Sequence, residues 1–397
     1  MICFGNQVET GFGLLMKVLH VTASMSATWG GPSRVIADLA ATMSRKGVNT
    51  SVFAAKGYRV GRDIIETNQL DITLFQTDWF SYFWTGHARG LSDDIRNAVN
   101  DCDIVHIHEL WHYPHFAAYH AAIQANKPYC ITIHGHMNPW ALRNKRIRKT
   151  LYMRAFQKKS LQNANTIHAM NQEEYQYIRD QGLTNNVRII PNGVFIEQFS
   201  RHPYSTLDPN VYQNGSGDNI ILFLGRIHPV KGLELLVKSF SEIIISNPDV
   251  HLVIAGPYEK SYKSHLERIL AMSGALNNCT FTGMLNEKEK LAWLHRANIF
   301  VLPSYSEGMS ISTLEAMASK VPVIITNHCQ LPDVGSHNAG LIVSTEVSEI
   351  TKGLRYLIDN PNDRQSMGFN GHQLVKNKYT WDVIGDNYLN MYEDILA

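Results

Sequence analysis

The chain reads as an α/β protein of two Rossmann-like, doubly wound domains. Three observations predict this. Its 397 residues suffice for two to three domains at about 150 residues each. Short β-branched runs alternate with longer helical patterns, as parallel strands covered by helices require. The alternation stops at a polar stretch rich in Pro, Gly and Asn, residues 200–219, and then begins again.

The elements follow in order. Residues 1–15 are expected to be an extension, with Met16 opening the first buried strand. Val18–Thr22 reads as a strand. Pro32–Lys46 reads as a helix whose proline suits its first turn. Thr50–Ala54, Ile104–His108 and Tyr129–His134 are further strands, with helices between them. Past the linker, strands fall at Ile220–Leu224, Val250–Ala255, Cys279–Thr282, Ile299–Leu302 and Val321–Thr326. Helices fill Gly232–Ser246, Lys260–Ser273, Glu287–Arg296 and Ser312–Ser319. The expected domains are therefore 16–200 and 201–380. In such sheets ligands sit beyond the carboxyl ends of the strands, at the switch point, so two such domains are expected to face a central cleft.

Composition narrows the function. Lys+Arg exceed Asp+Glu by 36 − 35, a net charge of +1, too balanced for a protein that wraps nucleic acid. The five cysteines are scattered with no C-x-x-C pair, which argues against a disulfide scaffold and for a reducing cytoplasm. No apolar run approaches the roughly 18–20 residues of a membrane span. The first fifteen residues lack a basic n-region and a small-residue cleavage site, and do not read as a signal peptide.

Four segments fall at strand ends. Gly30-Gly31-Pro32-Ser33 is either an ordinary tight turn or an anion cradle, in which glycines admit backbone N–H groups and the helix start presents a positive dipole end. In Leu224-Gly225-Arg226-Ile227-His228-Pro229-Val230-Lys231-Gly232, two cations follow a strand end. Arg226 can fork onto phosphate oxygens and Lys231 supplies a point charge. In the third segment Glu307 and Glu315 lie eight residues apart, within about 80° of one another if helical. Ser312-x-x-Glu315 also fits a capping box, which would occupy Glu315 structurally. Glu307 is free to accept from sugar hydroxyls, and the Met309–Ser312 amides can receive a phosphate. The fourth segment is histidine-rich: His106 and His108 share one strand face, and His134 precedes a glycine. Their spacing fits no common zinc motif. Asp101-Cys102-Asp103 precedes a strand, at the wrong end of a sheet for a metal site, and reads as a turn.

Together these segments resemble the family-4 retaining glycosyltransferases of the B-type two-domain fold. The matching pieces are GGPSRV at 30–35, HG at 134–135, IIPNGV at 189–194, LGRIHPVKGLELLVKSF at 224–240, IAGP at 254–257, FTGML at 281–285 and SEGMSISTLEAMASKVPVI at 306–324. The terminal YTWDVIGDNYLNMY resembles the family's closing helix, here 381–397, which crosses back onto the first domain. The texture around HIHELW and HGHMNPWALR is similar to bacterial, often cyanobacterial, exopolysaccharide glucosyltransferases.

The resemblance implies roles. Arg226 and Lys231 match the grip on the donor diphosphate. Glu315 matches the carboxylate on the ribose hydroxyls, and Glu307 the one on the donor sugar. Gly308, Met309 and Ser310 match backbone amides around sugar and phosphate. His134 matches the histidine near the sugar's 6-position and anomeric centre. Gly30 and Gly31 match the loop facing phosphates and acceptor, and Met284 the backbone that reads the base. Asn192 lies in the matched PNG turn, with a structural or sugar-adjacent role. The implied reaction is retaining transfer of a hexose, glucose from UDP-glucose, without cofactor or metal. The acceptor is a glycan or a polyprenyl-diphosphate-linked glycan.

Residues 143–159 hold eight Lys/Arg and no Asp or Glu. With Trp140, Leu142, Ile147, Leu151 and Tyr152 they form an amphipathic helix, either a solvated basic face or one attracted to an anionic membrane surface. The expected location is cytoplasmic, peripheral on the inner face of the cell membrane. Other readings stay open: a nucleotide-sugar 2-epimerase or another enzyme of this fold, a non-catalytic nucleotide-sugar sensor, and a metal-dependent hydrolase using His106, His108 and Asp103.

Overall fold

The computed structural model of the chain describes residues 16–26, 29–57, 60–61, 70–143, 146–200 and 219–397. The extension expected at 1–15 and nearly all of the linker expected at 200–219 lie outside the described residues. The chain divides into two compact units, residues 1–190 with 385–397, and residues 191–384.

The first unit is built on a parallel seven-stranded sheet of β1 (Lys17–Ser24), β2 (Asn49–Lys56), β3 (Asp71–Gln76), β4 (Ile104–His108), β5 (Tyr129–Thr132), β6 (Thr166–Ala169) and β7 (Asn186–Ile189). Their spatial order is β3-β2-β1-β4-β5-β6-β7, so the direction of winding reverses between β1 and β4. Alternation along the strands separates two buried faces. Leu19, Val21, Val105, Ile107, Ile131 and Ile167 join one apolar core. The residues between them are polar and equally buried: His20, Thr22, His106, His108, Thr132 and His168. The register sets His20 beside His106, His108 beside Thr132, and Thr132 beside His168, a polar row across four strands. The final helix, Trp381–Leu396, contributes its last residues to this unit. Lys46 pairs with Asp386 at 2.6 Å and the Tyr392 hydroxyl lies 2.7 Å from His106 Nδ1.

The second unit carries a parallel six-stranded sheet of β8 (Asn219–Leu224), β9 (Val250–Ala255), β10 (Cys279–Gly283), β11 (Ile299–Leu302), β12 (Val323–Thr326) and β13 (Gly340–Val343). The order β10-β9-β8-β11-β12-β13 puts its switch point between β8 and β11. The central strands are buried throughout, as strands covered on both faces must be.

Candidate functional site

In the second unit the switch point receives the loop after β8 from one side and the loop after β11 from the other. Two glycines let the backbones approach this closely. A Cβ on Gly256 (φ +140°) would stand 2.0 Å from the Gly225 carbonyl oxygen, and one on Gly232 (φ +66°) 2.0 Å from that of Pro303. The short turn Pro229–Lys231 is thereby held against the end of β11, which delivers Lys231 to Glu307. Lys231 Nζ lies 2.6 Å from Glu307 Oε1, and the buried Ser304 hydroxyl donates to the same oxygen at 2.5 Å. The Glu307 backbone N–H donates to the His328 carbonyl at 3.1 Å. Arg226 is exposed, just beyond the end of β8.

Gly308, Met309 and Ser310 connect Glu307 to the helix Ile311–Ala318. Asn192 fixes this connection from the PNG turn. Its backbone N–H donates to Met309 Sδ at 3.1 Å and its side-chain amide to the Met309 carbonyl at 3.3 Å. Ser310 caps the helix, its hydroxyl accepting from the Thr313 N–H at 3.2 Å. The capping box expected between Ser312 and Glu315 therefore does not form, because the helix already begins at Ile311. Glu315 pairs instead with Lys290 at 2.7 Å, and Glu287 lies 3.0 Å from the same ammonium. Burial works to lower the Lys290 pKa, but the two carboxylates outweigh it and hold it above the ordinary lysine value. No acidic side chain occupies the helix's first turn, so its positive end is left for an anion. Met284 is exposed, directly after β10 at the edge of the sheet. Ser304 and Lys290 were missed from sequence. Ser304 lies three residues before Glu307, just upstream of the matched piece at 306–324, whereas Lys290 arrives from a separate helix, Glu287–Arg296, with no local signal.

In the first unit the switch point lies between β1 and β4. Gly30 precedes the helix Gly31–Arg45 with φ +107°, and both glycines are exposed, with no acidic residue in the first turn. Glu109, just after β4, ties this loop down. Trp29 Nε1 donates to one carboxylate oxygen at 2.7 Å and Thr22 Oγ1 to the other at 3.2 Å. Burial pushes the Glu109 pKa up to about 7. His134 does not end β5 as expected. The strand stops at Thr132, and His134 stands in a left-handed turn, φ +46°. Glu174 holds that turn by accepting from the Gly135 and Met170 N–H groups at 2.5 and 2.7 Å, and burial pushes its pKa up to about 7. The basic segment also differs from one continuous amphipathic helix. It runs as helices Pro139–Arg143, Arg146–Tyr152 and Lys158–Asn163 with a π-helical turn over Met153–Gln157, residues 144–145 lying outside the described residues.

The metal reading of His106 and His108 finds its donor atoms engaged. His106 meets Tyr392 and Thr132, both at 2.7 Å, and His108 meets His20 at 3.0 Å and His134 at 3.2 Å. Asp103 lies at the opposite end of the strand, accepting from the Lys17 N–H at 2.8 Å.

Two doubly wound units, one gathering cations, a carboxylate and a helix start at its switch point, define an α/β protein of the class whose switch points suit anionic ligands. The comparisons with known proteins specify the family. Residues 29–198 match the family "Glycosyltransferase Family 4" and residues 206–374 the family "Glycosyl transferases group 1". The chain belongs to this family of two-domain glycosyltransferases, with the B-type fold. A GDP-mannose-dependent phosphatidylinositol monomannoside mannosyltransferase of Corynebacterium glutamicum is 28% identical over 216 residues, 51% of this chain and 55% of that one. A capsular polysaccharide biosynthesis glycosyltransferase of Staphylococcus aureus is 28% identical over 212 residues, 52% of this chain and 53% of that one. The chain thus spans about half the length of the curated relatives it matches. Among solved structures, Anabaena HepE in complex with UDP and glucose has a TM-score of 0.75 at 17% identity, covering 96% of this chain and 100% of that one. Sucrose-phosphate synthase from Thermosynechococcus elongatus has a TM-score of 0.75 at 18% identity, covering 96% and 99%.

Proposed function

We propose that the chain is a retaining hexosyltransferase that takes glucose from UDP-glucose, without metal or cofactor, and passes it to a glycan or polyprenyl-diphosphate-linked acceptor in exopolysaccharide synthesis. The observation that carries this is the 2.6 Å contact between Lys231 and Glu307. In a nucleotide sugar the anomeric carbon is bonded directly to the diphosphate. A cation for the leaving group and a carboxylate for the sugar must therefore be neighbours.

Lys231 Nζ has three protons, and spending one on Glu307 leaves others for phosphate. Arg226 adds a second cation, and the Ile311–Ala318 helix start, with no acidic residue in its first turn, adds its positive dipole end. Negative charge develops on the diphosphate as the glycosidic bond breaks, and fixed donors that meet it lower the barrier without reorganising. Glu307 accepts from hexose hydroxyls and Glu315 from the ribose. Met284 lies toward the base, and Gly308, Met309 and Ser310 surround the sugar and phosphate. By the family resemblance, Gly30 and Gly31 offer a phosphate-facing loop and His134 a hydrogen bond to a hexose hydroxyl.

The donor assignment draws on HepE, whose structures hold UDP and glucose. The Corynebacterium relative carries GDP-mannose in its name, so the two nucleotides are the alternatives to separate. A panel of UDP-, GDP- and ADP-sugars, read by thermal shift and nucleotide release, does so. Release of UDP from UDP-glucose alone is the expected result, and release only from a GDP- or ADP-sugar would overturn it.

The acceptor assignment draws on the basic segment. A cavity of about 590 Å³ is lined by Arg143, Lys149, Arg154 and Lys158 against one carboxylate, Asp180. Beside it Trp79, Phe83, Ile147 and Leu151 are more than half exposed. Cations next to exposed aromatics suit a phosphate-bearing lipid at an anionic surface. No helix among the described residues is long and apolar enough to cross a membrane; in this reading the attachment is peripheral, on the cytoplasmic face.

A further inference from the structure

The polar row of the first unit contains two hydrogen-bond chains. The first has a fixed direction. His168 Nε2 lies 2.7 Å from the Ile190 carbonyl, which can only accept, so Nε2 carries the proton and Nδ1 accepts. The Thr132 hydroxyl, 2.8 Å from that Nδ1, must then donate to it. His106 Nε2 donates to Thr132 Oγ1 at 2.7 Å, and the Tyr392 hydroxyl donates to His106 Nδ1 at 2.7 Å. One carbonyl thus sets four groups.

The second chain is His20–His108–His134. His20 Nδ1 lies 3.0 Å from His108 Nε2, and His108 Nδ1 lies 3.2 Å from His134 Nε2. A neutral imidazole has one donor and one acceptor, so this chain has only two states. In one, every proton points toward His134, and His134 keeps its own proton on Nδ1. In the other, every proton points away, and His20 must carry its proton on Nε2. That atom is buried and has no hydrogen-bond partner among the described residues. A buried N–H without an acceptor is costlier than a buried lone pair without a donor. We infer that His20 and His108 are positioning residues that lock His134 in the Nδ1–H tautomer, so that His134 offers a substrate oxygen an N–H donor rather than a basic lone pair.

This deepens the proposed function, since it rests on His134 meeting the hexose. It gives that residue a chemistry: recognition of a hydroxyl or phosphate oxygen by donation. Burial keeps all three rings neutral, with the His20 pKa near 3 and those of His108 and His134 well below the usual histidine range. The left-handed turn, tied by Glu174 to Gly135, holds the His134 ring in line. The ligand-capable atoms of His20, His106 and His108 also lie within 4.8 Å of one another, but both ring nitrogens of His106 and His108 already have protein partners.

Imidazole-¹⁵N labelling of the full chain with long-range ¹H–¹⁵N correlation reads each tautomer directly. The expected result is a proton on Nδ1 in His20, His108 and His134, with His106 and His168 as Nε2–H references. A proton on Nε2 of His134 overturns the inference. His108→Phe removes the ring that donates to His134 Nε2. The Nδ1:Nε2 ratio at His134 should then fall roughly tenfold or more, and UDP-glucose should bind several-fold more weakly while UDP alone binds as before. An unchanged ratio also overturns the inference. If His108→Phe fails to fold, the wild-type spectrum alone decides. Zinc added alone that shifts the His20, His106 and His108 signals at one equivalent would replace this reading with a metal site. The tautomer result stands or falls without any glycosyl transfer, so its failure is distinct from failure of the proposed function.

Discussion

The two switch points solve the same topological problem with opposite electrostatics. In the second unit, charges stand in half-buried ion pairs, Lys231 with Glu307 and Lys290 with Glu315. In the first unit, the corresponding loops are held by buried groups that avoid charge, a row of neutral imidazoles and two carboxyls with raised pKa values. The lesson is that one topology can present fixed charges at one switch point and neutral, directed hydrogen bonds at the other. Neutral rings impose direction, whereas ion pairs can re-partner when an anion arrives.

The largest expected difference lies in catalysis. Arg226→Ala, Lys231→Ala and Glu307→Ala should each lower transfer from UDP-glucose by about 10²–10³, the usual loss when a group facing developing charge is removed. Steady-state UDP release measures this. Wild-type rates in all three would place the site elsewhere.

The next difference is in pH dependence. His20, His106, His108, His115 and His168 are fully buried, and their folded pKa values lie below 6.5. As pH falls below 6.5 the unfolded chain takes protons that the folded unit refuses, so this stability is lost toward acid. Glu109 and Glu174 act in the opposite sense. Raised from 4.5 to about 7, they add stability that is fully present below 4.5 and lost as pH rises through 7. His112, His134 and His136 act in the same sense as these five rings, so the rings outweigh the two carboxyls and the first unit should lose stability between pH 7 and 5.5. In the second unit the half-buried His228 and the buried His251 have pKa values lowered mainly by burial. Hydrogen exchange followed peptide by peptide in denaturant should show the first unit falling and the second nearly unmoved. Equal losses would erase the contrast.

Smaller effects separate cap from ligand group around Glu315. Glu315→Ala should weaken UDP binding about tenfold, the worth of one hydrogen bond to a charged group. Ser310→Ala should instead cost about 1 kcal/mol of stability, because Ser310 is the cap. Calorimetry and denaturant melts on the two variants test the exchange of roles. A stability loss in Glu315→Ala with unchanged UDP affinity would restore a structural role.

These contrasts were partly legible in the sequence. His-x-His at 106–108 announced a shared strand face, and Arg226, Lys231 and Glu307 stood out because loops after buried strands are where such folds bind ligands. The interior strand β6 passed unread because its four residues include two polar ones, Thr166 and His168, and the edge strands β3, β7 and β13 passed unread too. Each is partly solvent-facing, so its hydrophobic signal is diluted. Lys290 was invisible because its partner lies 25 residues away on another helix. The cap was misplaced by two residues because Ser310 and Ser312 are equally good cap residues, and only the helix start distinguishes them. The polarity of the histidine row was out of reach altogether, since it depends on which atom of His20 lacks a partner.

The most direct test of the central claim is calorimetric titration of UDP and UDP-glucose into wild-type chain and Glu307→Ala. With Glu307 gone, Lys231 is released to the diphosphate. UDP should bind at least as tightly as to wild type, while the extra affinity that glucose confers on the donor disappears. If Glu307→Ala keeps the wild-type preference for UDP-glucose over UDP, the carboxylate does not hold the hexose and the assignment of this switch point fails.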